Sequence, residues 1–102
     1  MREVDKDGYL INLKDWSPET AEWLAAQEKI TLTDAHWEII YCLRDFYQSY
    51  ELSPAMRPLV KHVASKLGAD KGRSLYLMRL FPESPAKIIA KIAGLPRPTN
   101  CL

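Results

Sequence analysis

Only two of the 102 residues are cysteine, and only four are glycine. Two lone cysteines, Cys42 and Cys101, do not make a disulfide framework. No Cys/His spacing around His36 or His62 resembles a zinc site, so no metal is expected. Gly68 and Gly72 stand isolated and no GK[ST] follows a strand, which excludes a phosphate-cradling loop. A GxSxG elbow is also missing, and the Ser, His and Asp residues do not group into a triad. No run approaches the roughly 18 apolar residues of a membrane span. The opening MREVDKDGYL has no long apolar segment behind a basic start, so no secretory signal is expected and the cytoplasm is the expected compartment. Charge of one sign is lacking too. Fourteen Lys and Arg face thirteen Asp and Glu, a net of +1, which argues against a dedicated nucleic-acid binder and against a polybasic membrane contact.

What is present reads as one small globular domain. Hydrophobic residues make up 47% and charged residues 26%, enough to bury a core without staples. Residues 2–12, REVDKDGYLIN, predict a β-hairpin turning at Asp7-Gly8. From there the signals are helical. Ser17-Pro18 opens a first helix whose apolar face holds Ala21, Trp23, Leu24 and Ala25. Thr33 caps a second, striped by His36, Ile39, Ile40, Leu43, Phe46, Tyr47 and Tyr50 at steps of three and four. Cys42 sits on the edge of that stripe and reads as a small core hydrophobe, and His36 as a satisfied, half-buried histidine.

Ser53-Pro54 and Arg57-Pro58 predict an irregular turn before a third helix, with Leu59, Val60, Val63, Ala64 and Leu67 inward and Gly68 as a left-handed cap. RSLYLMRLF predicts a fourth helix, stopped by Pro82. Ser84-Pro85 opens a fifth, with Ile88, Ile89 and Ile92 inward, Lys87 and Lys91 outward, and Gly94 as its cap. The third and fourth helices with their glycine-containing turn have the outline of a DNA-binding helix-turn-helix, and Lys71, Arg73 and Arg79 could meet phosphates. Helix pairs of this kind are common for packing reasons alone, and the balanced charge favours packing. The expected class is therefore mainly α: a small orthogonal helical bundle containing a helix-turn-helix-like pair, with an N-terminal β-hairpin and an extended C-terminal arm. Residues 1–93 form the domain and residues 94–102 the mobile arm.

That arm, GLPRPTNCL, raises the chemical question. Pro96 and Pro98 favour extended, stiff backbone. Seven steps from Gly94 to Cys101 place the thiol up to roughly 20–25 Å from the last helix. This geometry suits a carrier that reaches into a partner's site. An exposed thiol, with a pKa near 8.5, is about 3% thiolate at neutral pH, adequate once a partner supplies positive charge. Arg97 would favour the thiolate and the Leu102 carboxylate would oppose it.

DKDGYL, the DW of LKDW, ITLTDAHWEII, LRDFY, the LFP of RLFPESPAK and above all KIAGLPRPTNCL occur in the order and spacing of one family. On these motifs the chain resembles the DsrC/TusE sulfur-carrier family along nearly its whole length. The resemblance implies a helical domain with a hairpin and a mobile arm whose penultimate cysteine, Cys101 here, carries sulfur as a persulfide. Members serving dissimilatory sulfur metabolism have a second arm cysteine eleven residues earlier. This chain has Ala90 there, so it is similar to the single-cysteine TusE branch. The implied activity is that of a sulfurtransferase: sulfur comes from an upstream relay complex and passes to the thiouridylase, with its bound tRNA, that thiolates the wobble uridine. No cofactor is implied, since the carried sulfur is substrate. Arg57, Lys61, Arg73 and Arg97 are the candidate docking charges. The competing readings are a DsrC-like protein of dissimilatory sulfur metabolism and a sulfur-responsive regulatory or DNA-binding protein.

Overall fold

The computed structural model describes residues 3–98. After a turn at the N-terminus, a 3₁₀ turn at Leu13–Asp15 leads into five helices: α1 (Pro18–Gln27), α2 (Asp34–Tyr50), α3 (Met56–Leu67), α4 (Ser74–Leu80) and α5 (Pro85–Ile92). The eight-residue α5 packs against α1, α2 and α3, and α2 also packs against α3. So short a helix is not stable alone in water, and burial must hold it. Ile89, Ala90 and Ile92 are fully buried in a core they share with Leu24, Ile39, Ile40, Leu43, Leu59, Val63, Leu77 and Phe81.

The local start signals act as the sequence predicts at two helices. Ser17 Oγ accepts the Thr20 N–H at 3.2 Å, and Pro18 occupies the first turn of α1. At α2, Thr33 is the N-cap and His36 takes the capping-box position usual for Glu or Gln. The His36 ring spans two elements. Its Nδ1 accepts the Thr33 N–H at 3.1 Å and lies 2.8 Å from Thr33 Oγ1, while Nε2 lies 2.9 Å from the Leu80 carbonyl at the end of α4. With Nδ1 accepting, Nε2 carries the proton and donates to that carbonyl. His36 is thus a buried, satisfied histidine whose ring edge also meets Phe81.

Several expectations are corrected. No β-hairpin forms among the described residues, where Val4 and Leu10 make a single antiparallel bridge. The Asp5 carboxylate accepts the N–H groups of Asp7 and Tyr9 at 2.9 and 3.0 Å and builds a side-chain-closed turn. The Tyr9 N–H, first among these causes, holds the Asp5 carboxyl below its usual range. Tyr9 and Leu10 are both buried, so the in-and-out alternation of a strand is lost, and Asn12 caps the 3₁₀ turn before a ladder can grow. Gly68 ends α3 with φ 108° and ψ 157°, a glycine conformation but not the left-handed helical one. On α5 it is Ala90 that is fully buried, with Ile88 only half-buried, and Lys91 turns inward to reach Glu28 of α1 at 3.0 Å. Tyr50, at the end of the α2 stripe, is exposed.

Replacing His36 by Ala strands both the Thr33 N–H and the Leu80 carbonyl. Urea denaturation is expected to show a loss of about 2–4 kcal/mol, and a loss under about 0.5 kcal/mol, the size of an ordinary surface change, would show that the bridge carries no stability.

Candidate functional site

The end of α5 is held by side chains from distant parts of the chain. Trp16 Nε1 donates to the Ile92 carbonyl at 2.9 Å, and an Arg44 guanidinium nitrogen donates to the Ala93 carbonyl at 2.5 Å. These are carbonyls that a helix C-terminus leaves without an intrahelical partner. Arg44 also lies over the Trp16 ring, 3.8 Å from its centroid. Burial pulls the Arg44 pKa below its ordinary value, but a guanidinium remains charged throughout the accessible range. Gly94 then turns the chain at φ 71°, pressed so closely on Trp16 that any Cβ would enter the indole. Glycine is required here by conformation and by space.

Beyond this elbow the described part of the arm lies on the domain. The Leu95 N–H donates to the Ala90 carbonyl at 2.9 Å and the Leu95 side chain is buried. Ser53 Oγ donates to the Pro96 carbonyl at 2.6 Å. The Arg97 guanidinium pairs with the Asp7 carboxylate and stands 5.2 Å from the centre of the Tyr9 ring. The hydrogen bond to Asp7, the largest cause, raises the Arg97 pKa further. Pro98 is buried.

Cys101 lies outside the described residues, as do Thr99, Asn100 and Leu102. The last described residue, Pro98, is buried on the domain, and three residue steps from it to Cys101 span at most roughly 10 Å. The other cysteine, Cys42, is buried on α2. Burial first, and the Asp45 carboxylate second, push its thiol up to about 11. It is a core residue without thiolate character at neutral pH.

The candidate docking charges are not gathered at one point. Arg57 and Lys61 are exposed neighbours on α3 and line one hollow of about 310 Å³ with Met56, Val60 and Ser74. Arg73 is exposed at the N-cap of α4 and lines neither this hollow nor its neighbours. Arg97 is engaged with Asp7 at the arm root. Sequence reasoning missed Asp7, Tyr9, Trp16, Arg44 and Ser53 as the residues that seat the arm, because each acts on a partner dozens of residues away. No group of three or more His, Cys, Asp and Glu able to hold a metal ion occurs among the described residues.

The whole chain, residues 1–102, matches the family described as DsrC like protein. A relative from Haemophilus influenzae, named sulfurtransferase TusE homolog, is 60% identical over 100 residues, covering 98% of this chain and 92% of the relative. Among solved structures, Allochromatium vinosum DsrC superposes with a TM-score of 0.88 at 50% identity, covering 97% of this chain and 88% of that one. DsrC from Archaeoglobus fulgidus, the oxidized gamma-subunit of its dissimilatory sulfite reductase, gives 0.84 at 40%, covering 99% and 92%.

Two outcomes follow from this geometry. In a Cys101→Ser protein, where Cys42 is the one thiol, about 0.1% is ionised at pH 8. Its reaction with DTNB should be about a hundredfold slower than that of free cysteine and should climb about tenfold per pH unit until near 11; a rate close to that of free cysteine at pH 8 would contradict the burial. Gly94→Ala should cost about 2 kcal/mol or more in urea denaturation, and a variant as stable as the parent would show that the elbow is not conformationally demanding.

Proposed function

The chain belongs to the DsrC-like family, and on that footing we propose that it works as a sulfurtransferase, carrying sulfur as a persulfide on Cys101. The observation that carries this reading is the division of labour between the two thiols. Cys42 is sealed in the core with its thiol raised to about 11, which leaves Cys101, three residues past the seated Pro98, for chemistry. The proposed step is an exchange without net oxidation. The Cys101 thiolate attacks the outer sulfur of a donor protein's cysteine persulfide, the S–S bond breaks, the donor leaves as a thiolate, and Cys101 holds the S–SH group. The same step in reverse sense passes the sulfur to an acceptor cysteine.

The proposed donor is an upstream sulfur-relay complex, and the proposed acceptor is the thiouridylase that, with its tRNA bound, makes wobble 2-thiouridine. The cytoplasm is the proposed compartment; among the described residues, no helix is long and apolar enough to cross a membrane. In the described conformation the Arg97 guanidinium is engaged by the Asp7 carboxylate, which accepts its hydrogen bond. In this proposal the partners activate the thiol. A disulfide or trisulfide within the arm is not available, because the position eleven residues before Cys101 is Ala90, buried in α5. This favours the relay role over one in dissimilatory sulfur metabolism.

The test is incubation of the reduced protein with a cysteine desulfurase, cysteine and candidate relay proteins, followed by intact and peptide mass measurement. One added sulfur on the C-terminal peptide, lost in Cys101→Ser and kept in Cys42→Ser, is the expected result. Sulfur found on Cys42, or none with a competent donor present, would remove the chemical basis of the carrier role.

A further inference from the structure

Three surface hollows merge into one groove that ends at the arm root. The first, between α3 and the start of α4, shares Met56, Arg57 and Ser74 with the second, of about 490 Å³. The second shares Glu83, Ser84 and Lys87 with the third, of about 300 Å³, which reaches Asp7 and Arg97. Met56, Val60 and Met78 supply apolar lining, and Met78 is 44% exposed although it faces this groove. Arg57, Lys61 and Lys87 supply the cations, and among the described residues none of the three forms an ion pair.

The charge count is one-sided. Of the other charged residues along the groove, Lys91 is paired with Glu28 and Arg97 with Asp7, which among the described residues leaves Glu83 as the one unpaired carboxylate against three unpaired cations. A chain whose net charge is only +1 thus concentrates free positive charge around an apolar, methionine-containing cleft. Sites built for single-stranded nucleic acid pair cations with aromatic stacking platforms along the track. Here the lining of the first two hollows is aliphatic and sulfur-bearing, and methionine adapts its shape to apolar partners. An apolar strip flanked by free cations complements a helix with an apolar stripe flanked by Asp and Glu.

We infer that this groove is where a partner protein of the sulfur relay lays an acidic amphipathic helix, bringing its own thiol alongside the arm root and within reach of Cys101. The inference rests on the carrier reading above. It also assigns parts to the docking charges: Arg57 and Lys61 bind together with Lys87, while Arg97 holds the arm.

The experiment uses the full chain with three fluorescent probes in anisotropy titrations: an amphipathic Leu/Glu helical peptide, a scrambled peptide of the same composition, and a single-stranded RNA. The variants are the triple Arg57→Gln/Lys61→Gln/Lys87→Gln and, at the groove lining, Met78→Asp. In parallel, Cys101 is loaded from inorganic polysulfide, a donor with nothing to dock. The amphipathic peptide should bind more tightly than the scrambled one, and each variant should weaken it by about tenfold, with polysulfide loading unchanged. Equal binding of the two peptides, affinity indifferent to both variants, or tighter binding of RNA would each overturn the groove assignment. Failure of wild-type Cys101 to load from polysulfide would instead count against the carrier reading, with the titrations still deciding the groove.

Discussion

The structure depends on how the end of α5 is satisfied. A helix terminus leaves carbonyls that must find donors, and burying them unpaired is costly. Here the donors arrive from far away in sequence: Trp16 from the segment before α1 and Arg44 from the middle of α2. Because those residues are fixed by their own elements, the end of α5 is fixed in position and direction. The stack of Arg44 on Trp16, and the contact of Trp16 with Gly94, make one assembly of what would otherwise be three separate caps. The arm begins at that assembly.

Once the direction is set, a few polar contacts hold the described part of the arm on the domain. Ser53 holds the Pro96 carbonyl, and Asp7 with Tyr9 holds Arg97. An exposed ion pair of this kind is worth little by itself. Its effect is geometric: together with the buried Leu95 and Pro98 side chains it fixes the described part of the arm, which ends three residue steps before Cys101. In the proposed carrier role, the short chain distance from Pro98 to Cys101 keeps the thiol near the domain and raises its effective concentration toward a partner docked there. On that reading, specificity can reside in the domain surface.

Much of this was legible in the sequence wherever the signal is local. Ser17-Pro18, Thr33 and Gly94 mark helix ends by capping chemistry that needs only neighbouring residues. The 3.6-residue stripe of α2 identified Ile39, Ile40 and Leu43 as core and placed Cys42 on its edge. Short-range patterns misled at the N-terminus, where Asp5 competes with the ladder for the same N–H groups and turns Asp7-Gly8 into a side-chain-closed loop. On α5, periodicity could not tell Ala90 from Ile88, because a helix packed on three others is buried on more than one stripe. The residues that seat the arm were invisible for a different reason. Asp7 and Arg97 are ninety positions apart, and Trp16 and Ile92 seventy-six, so only the fold brings them together.

That pairing of the two ends of the chain bears on how the protein is made. Synthesis runs from Asp7, Tyr9 and Trp16 toward Arg97, and domains assemble as their parts emerge. Until α5 and Arg97 have emerged, α1, α2 and α3 lack the helix that packs against all three, and the N-terminal turn lacks its partner. Contacts of such long sequence separation also form slowly compared with local ones. The seat of the arm is thus built from pairings of long sequence separation, and a chain lacking either side of them has no platform from which the arm can start.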